Sequence, residues 1–258
     1  DEKTVRHVAW KADQDAYAFS GQKCSAQSML FVHDNWNDPA KVPIGQAKGR
    51  VFEEMLADRA SKRKLADLTV GPVLTVTNER IERHIAGLLE LDERVEVLFG
   101  GRRLAPEVNH TIPDCYGSFQ PTAVFVPLDV MLRDDESFRR VTTEIFGPFQ
   151  VVTRYSDDQI PMVLDACERM NQHLTAAVVS NDVHFRNKVL AHTVNGTTYA
   201  GMGARTTGAP QNHWFGPAGD PRGAGIGSQE AIKLVWSCHR EIVYDEGPVP
   251  SDAQLTTT

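Results

Sequence analysis

A chain of 258 residues with a formal net charge of -7 lacks the excess of basic side chains that a nucleic-acid surface requires, so we expect no nucleic-acid partner. Hydrophobic residues make up 41% and charged residues 24%, as in globular proteins, and no apolar run approaches the roughly 20 residues that span a bilayer. The four widely spaced cysteines favour free thiols in a reducing compartment over a disulfide framework. The nine histidines show no metal-binding spacing, so no metal site is predicted.

Strand-like apolar runs alternate with segments of helical periodicity along the chain. In chain order the sequence predicts a strand at 28–33, a helix at 48–64, a helix that begins at Asn78, strands at 95–99, 121–126 and 149–155, a helix at 159–170, a strand at 175–180 and a helix at 183–190. Parallel strands need crossover helices, and this alternation supplies them. The order therefore indicates an α/β fold with a mostly parallel, twisted sheet and helices on both faces.

Three local signals mark the ends of these elements. Asn78 is predicted to be the N-cap of the helix that follows it, and Asp182 the N-cap of the helix at 183–190. Gly100 and Gly101 are predicted to end the strand at 95–99.

The chain changes character in its last third. Residues 196–227 are rich in Gly, Thr and Pro, and a connection of this length is expected to be a functional loop or a flexible surface loop. Strand character returns at 234–244 and is followed by a loose tail. We therefore expect a domain over residues 1–236, with an oligomerisation strand and tail at 237–258.

The first segment with chemical potential surrounds Cys24. A thiolate is a strong nucleophile near neutral pH, and Lys23 beside it favours the charged form. The alternative for any single cysteine is burial in the core, where free cysteines are common.

A second segment has the sequence Glu-Ile-Phe-Gly-Pro at 144–148, in which Gly-Pro indicates a turn before the next strand. A third, Trp-Phe-Gly-Pro at 214–217, precedes a Gly-x-Gly-x-Gly run at 223–227. That run lacks the preceding strand and the acidic partner of a dinucleotide fingerprint, so we interpret the third segment as a loop near the active site.

The first two segments together resemble the active-site signatures of the aldehyde dehydrogenase superfamily. Gly21, Gln22 and Cys24 match its G-Q-x-C segment, which lies between a helix and a strand, and 144–148 match its E-I-F-G-P segment. The resemblance implies that Cys24 is the catalytic nucleophile. It also implies that Glu144 binds the nicotinamide ribose hydroxyls of NAD, or of NADP, and that Phe146 packs against the nicotinamide end.

Further residues resemble the branch of this family that oxidises glutamate semialdehyde, the Δ1-pyrroline-5-carboxylate dehydrogenases of plants and protists. Lys23 and Ser25 fit that branch, as does the Gly- and Thr-rich run at 194–210. The resemblance implies that the loop near 206 holds the substrate α-carboxylate through backbone N–H and hydroxyl groups. The implied substrate-binding residues are Lys23, Ser25, Thr206, Thr207, Gly208, Ala209 and Phe215.

In that family the oxyanion asparagine, the general-base glutamate and the nucleotide-binding domain precede the cysteine. Only 23 residues precede Cys24 here, so we expect those parts to lie outside this chain and the chain alone not to oxidise aldehydes. The resemblance also implies a homo-oligomer joined through the C-terminal strand. The implied location is the mitochondrial matrix, with the cytoplasm as the alternative.

Three other interpretations remain open at this point. A papain-like cysteine hydrolase would need His213 to reach Cys24. A non-catalytic interaction module would use the strand at 237–244 to pair with a partner. A different aldehyde substrate within the same superfamily is the third.

Overall fold

The computed structural model describes residues 2–41, 50–106, 111–171, 173–207 and Ile242. Its helices are α1 (Glu2–Tyr17), α2 (Val51–Ser61), α3 (Asn78–Leu89), α4 (Leu128–Met131), α5 (Asp135–Val141), α6 (Ile160–Arg169) and α7 (Val183–Ala191). Its strands are β1 (Met29–His33), β2 (Glu96–Phe99), β3 (Thr122–Phe125), β4 (Phe149–Tyr155), β5 (Thr175–Val178) and β6 (Thr197–Ala200). Within these ranges no helix combines the length and the apolar character that crossing a bilayer demands.

The strands form two sheets, and most of their pairings are parallel. A four-stranded sheet has the order β1-β4-β3-β2, and β5 and β6 form a separate pair. Both β1 and β3 run parallel to β4, β5 runs parallel to β6, and β2 is antiparallel to β3. The predicted α/β class with a mostly parallel sheet is confirmed.

Helices cover both faces of the four-stranded sheet, because alternate side chains of each strand point to opposite sides. Val124 of β3 and Val151 of β4 pack in one cluster with residues of α3 and α5. Their neighbours Ala123 and Val152 pack in a second cluster with residues of α1 and α2. Cys24 lies between α1 and β1, so the packing of α1 on the second face positions the segment that carries it.

The predicted N-cap at Asn78 is wrong by one residue, although α3 does begin at Asn78. Thr77 is the N-cap: its backbone is extended and its hydroxyl accepts a hydrogen bond from the N–H of Arg80. Asn78 is the first helical residue, and its side-chain oxygen instead accepts a hydrogen bond of 2.7 Å from the N–H of Ser118. The Asn78 side chain, which the sequence alone assigns to the cap, is thus used in a tertiary contact with Ser118.

The other two end signals are confirmed. Asp182 caps α7 and accepts hydrogen bonds from the N–H groups of His184 and Phe185. Gly100 follows β2 with a φ of 74°, and a Cβ there would lie 2.2 Å from the carbonyl oxygen of Pro121.

The prediction of an irregular connection from 196 is wrong at its start. Thr197–Ala200 forms β6, in register with β5. Its Thr-Thr-Tyr sequence suits a strand, and Gly201 ends it with a φ of 114°. The rest of that connection, the predicted strand at 234–244 apart from Ile242, and the tail lie outside the described residues.

A buried ion pair attaches α1 to the segment after α2. Arg63 donates two hydrogen bonds to the Asp13 carboxylate, at 2.6 and 3.1 Å, and the two side chains are only 7% and 4% exposed. A third bond joins Arg63 to the carbonyl oxygen of Thr69. Because both charges are buried, removal of either one leaves the other without compensation.

We therefore expect Arg63→Ala to lower the free energy of unfolding by about 3–5 kcal/mol, measured by urea denaturation. Lys62→Ala is the matched control, because the adjacent Lys62 pairs with Asp58 on the exposed surface and such pairs contribute about 1 kcal/mol or less. Equal losses in the two variants would contradict a structural role for the buried pair.

Candidate active site

Cys24 lies in a tight turn between α1 and β1 and is exposed, which excludes the core interpretation of this cysteine. Just before it, Phe19, Ser20 and Gly21 all have left-handed backbone, with φ angles of 57°, 54° and 68°. Two consecutive non-glycine residues in this region are unusual and need support from their surroundings. That support holds the turn that carries Cys24.

The support comes from the segment 71–75, which precedes α3. The Ser20 hydroxyl accepts a hydrogen bond from the N–H of Gly71 at 2.9 Å and donates one to its carbonyl oxygen at 3.1 Å. The Gln22 amide donates to the carbonyl oxygen of Pro72 at 3.0 Å and accepts from the N–H of Leu74 at 2.7 Å. The side chains of Ser20 and Gln22 therefore hold the turn, because they bond to backbone N–H and carbonyl groups of 71–74 as a paired strand would.

The same segment also holds the motif at 144–148. The Thr75 hydroxyl donates a hydrogen bond of 2.5 Å to the carbonyl oxygen of Phe146. The two motifs touch directly as well: a Cβ on Gly21 would lie 2.0 Å from the carbonyl oxygen of Gly147 and 3.0 Å from that of Ala16. Only glycine at position 21 permits this approach.

A buried chain of hydrogen bonds joins the cysteine segment to the start of β4. The Gln27 amide donates to the side-chain oxygen of Gln150 at 2.7 Å, and the Gln150 amide donates to the Tyr17 hydroxyl at 2.7 Å. Tyr17 in turn donates to the carbonyl oxygen of Thr122 at 3.0 Å. Burial raises the pKa of Tyr17 well above its usual range, so the phenol remains a donor.

Cys24 and Glu144 line one cavity of about 550 Å³, which also reaches Asp15 and Thr206. The wall of this cavity includes residues of β1 and β5. Glu144 is exposed and Phe146 is half-buried. A carboxylate so placed can accept two hydrogen bonds from a diol, whereas Phe146 is not among the residues that line this cavity.

Four of the predicted substrate-binding residues lie together beside Cys24. The Thr207 hydroxyl donates a hydrogen bond of 2.7 Å to the carbonyl oxygen of Ser25, and its oxygen lies 3.3 Å from the Ser25 hydroxyl, although the residues are 182 positions apart. The ammonium group of Lys23 donates to the carbonyl oxygen of Gln14 at 2.9 Å. The N–H of Thr206 donates to Asp15. Gly208, Ala209 and Phe215 lie outside the described residues.

Asp15 is the residue of this site that the sequence analysis missed. It is 5% exposed on the inner side of α1. Burial raises its pKa, while the N–H of Thr206 and the charge of Lys23 oppose that rise. Burial lowers the pKa of Lys23, and the charge of Asp15 opposes it. One sequence signal could have identified Asp15. It lies at i+7 on the apolar helix face where Val8 and Ala12 occupy i and i+4, a face on which an acidic residue is unexpected.

Among the described residues, no three His, Cys, Asp or Glu side chains are grouped so that they could hold a metal ion. Cys24, Cys115 and Cys167 are free thiols, and burial raises the pKa of Cys167 to about 11. Cys24 and Cys167 line the cavity, and of these two only Cys24 is exposed.

Comparison with known proteins agrees with this geometry. The sequence pattern of the aldehyde dehydrogenase family matches residues 2–233. Over 255 residues the chain is 58% identical to the Arabidopsis thaliana protein named Delta-1-pyrroline-5-carboxylate dehydrogenase 12A1, mitochondrial. This match covers 99% of this chain and 43% of that protein. The chain is 61% identical over 249 residues to a probable aldehyde dehydrogenase of Linum usitatissimum, covering 96% of this chain and 42% of that protein. The chain thus spans less than half the length of these two relatives.

The fold is also similar to a solved structure of 1-pyrroline-5-carboxylate dehydrogenase from Thermus with bound NAD. The TM-score is 0.61 at 22% identity, over 89% of this chain and 39% of that one. The family match and the strand that follows Cys24 both disfavour a papain-like hydrolase, in which a helix follows the cysteine.

The contact between the two motifs predicts the effect of adding one carbon atom. Gly21→Ala places a Cβ 2.0 Å from a backbone oxygen and forces a left-handed alanine. The left-handed backbone alone costs about 1–2 kcal/mol, so the free energy of unfolding is expected to fall by at least about 2 kcal/mol. Gly203→Ala is the matched control, since nothing lies within 4 Å of a Cβ there. Equal denaturation midpoints for both variants would show that the approach of Gly21 to Gly147 is not tight.

Proposed function

Because the chain belongs to the aldehyde dehydrogenase family, we propose that it supplies the cysteine-bearing part of an enzyme that oxidises L-glutamate γ-semialdehyde to glutamate with NAD or NADP. One observation carries the proposal: Cys24, Glu144 and Thr206 line a single cavity although they are far apart in sequence. The names of relatives, including 1-pyrroline-5-carboxylate dehydrogenase 2 of Bacillus subtilis at 28% identity, support this substrate.

In this proposal Cys24 is the nucleophile. Its thiolate adds to the aldehyde carbon, and the backbone N–H of Cys24 donates to the oxyanion that forms. NAD or NADP, when bound, would supply the acceptor for the hydride that leaves this adduct. Cys24 then carries a thioester, which water hydrolyses to the acid and the free thiol. Glu144 holds the ribose, and Phe146 contacts the nicotinamide end.

The general base, the oxyanion asparagine and the nucleotide-binding domain are assigned to no residue of this chain. The domain at 1–236 is proposed as the catalytic one. The segment 237–258 is proposed to join copies into a homo-oligomer, and the Arabidopsis relative supports a mitochondrial location.

Ser25 is proposed to donate a hydrogen bond to the substrate carboxylate. The single hydroxyl hydrogen of Thr207 is used at the carbonyl oxygen of Ser25, so Thr207 can only accept from another group. The Ser25 hydroxyl is therefore the donor in its 3.3 Å contact with Thr207, and in this proposal it donates to the substrate carboxylate in place of that long hydrogen bond. The half-buried ammonium of Lys23 adds positive charge on the same side.

Substitution of the nucleophile tests the reaction. In the full product of the gene that encodes this chain, Cys24→Ser is expected to lower the rate of reduced-nicotinamide formation from glutamate semialdehyde by at least about 1,000-fold. Cys115→Ser is the control, because Cys115 is also an exposed free thiol but does not line the cavity. Full activity in the Cys24 variant would refute the proposed chemistry.

The choice of substrate is tested at Ser25. Ser25→Ala is expected to raise KM for glutamate semialdehyde about 10-fold, since loss of one hydrogen bond to a charged group costs about 1.5–3 kcal/mol. The KM for pentanal, which has no α-carboxylate, is expected to change less than about 2-fold. A wild-type enzyme that prefers pentanal would favour another aldehyde within the same family.

A further inference from the structure

A buried carboxylate lies behind the loop that is proposed to contact the substrate. Asp15 Oδ2 accepts a hydrogen bond of 2.7 Å from the N–H of Thr206, and the N–H of Thr207 also stabilises the charged form. The hydrogen bond from Thr206 is therefore charge-assisted, like those by which backbone N–H groups bind the carboxylate of a ligand. Here the anion comes from the chain itself.

This arrangement determines which groups of the loop remain for a ligand. An N–H group that already donates to a buried carboxylate is not available to the carboxylate of a substrate. The N–H of Thr206 therefore has a structural partner, and the same holds for the hydroxyl hydrogen of Thr207, which is bonded to the carbonyl oxygen of Ser25. The loop is thus held to the cysteine segment at both of its described threonines.

Asp15 also contacts the cysteine segment through its own backbone. Its carbonyl oxygen accepts a hydrogen bond of 3.2 Å from the N–H of Gln27, three residues after Cys24. The charge of Lys23, the residue immediately before Cys24, stabilises the carboxylate. One residue of α1 therefore joins both sides of the cysteine to the loop.

We propose that Asp15 is a positioning residue, which fixes the distance between Cys24 and the segment Thr206–Thr207 by accepting the N–H of Thr206 as an internal anion. This proposal rests on the proposed function in one respect: a fixed distance selects aldehydes whose carboxylate and aldehyde carbon span it. A charge-assisted hydrogen bond to a buried carboxylate is strong enough to hold a loop in one position.

Amide hydrogen exchange measures the anchoring directly in the purified chain. Asp15→Ala is expected to increase exchange at Thr206 and Thr207 by about 10-fold or more, while the protection of β4 is unchanged. Asp15→Asn keeps an oxygen that can accept from Thr206, so its exchange is expected to lie between those of Ala and the wild type. Gln14→Ala is the matched control on the same helix, because the Gln14 side chain donates a hydrogen bond to Asp13 and not to the loop.

Enzyme kinetics in the full gene product test the consequence for the substrate. Asp15→Ala is expected to raise KM for glutamate semialdehyde about 10-fold, with kcat/KM for pentanal changed less than about 2-fold and partial rescue in Asp15→Asn. A general structural defect would reduce turnover of both aldehydes equally, and that result would overturn the proposal. So would unchanged exchange at Thr206 and Thr207 in Asp15→Ala. If the wild type oxidises no aldehyde, the proposed function fails, and the exchange measurement decides the anchoring by itself.

Discussion

The site depends on one close approach between two pieces of backbone. Gly21 contacts the carbonyl group of Gly147 so closely that no side chain fits between them. This contact places the turn with Cys24 against the segment with Glu144, and the segment 71–75 holds both through Ser20, Gln22 and Thr75. The left-handed backbone at Phe19 and Ser20 follows from the same constraint, because the chain must reverse sharply to bring position 21 to Gly147.

Buried charge is the second determinant of the site. Asp13 and Asp15 lie two positions apart on α1, and each has a different partner. Asp13 pairs with Arg63, while Asp15 accepts a hydrogen bond from the N–H of Thr206 and is stabilised by the charge of Lys23. Both carboxylates are costly to bury without such partners. One ion pair therefore holds α1 to the segment after α2, and one charge-assisted hydrogen bond holds it to the loop after β6.

Much of the fold could be predicted from local pattern, because the signals are local. The strand at 149–155 has the bounds that its run of β-branched and aromatic residues indicates, and the cap at Asp182 is a property of a few adjacent residues. The motifs around Cys24 and Glu144 were also visible, and they do line one cavity. The roles of Asn78 and Asp15 were not predictable in this way, since their partners Ser118 and Thr206 are distant in sequence. β6 was missed because the Gly-rich composition of the following residues outweighed its short Thr-Thr-Tyr run.

The segment 71–75 has a consequence for how the protein loses its structure. This segment contains no helix or strand. Its hydrogen bonds nevertheless hold both the turn that follows α1 and the motif that precedes β4. Local opening of this segment would release the hydrogen bonds of Ser20, Gln22 and Thr75 together, which makes its partial opening unfavourable. The turn that carries Cys24 is therefore expected to lose its structure together with the segment 71–75 and not before it.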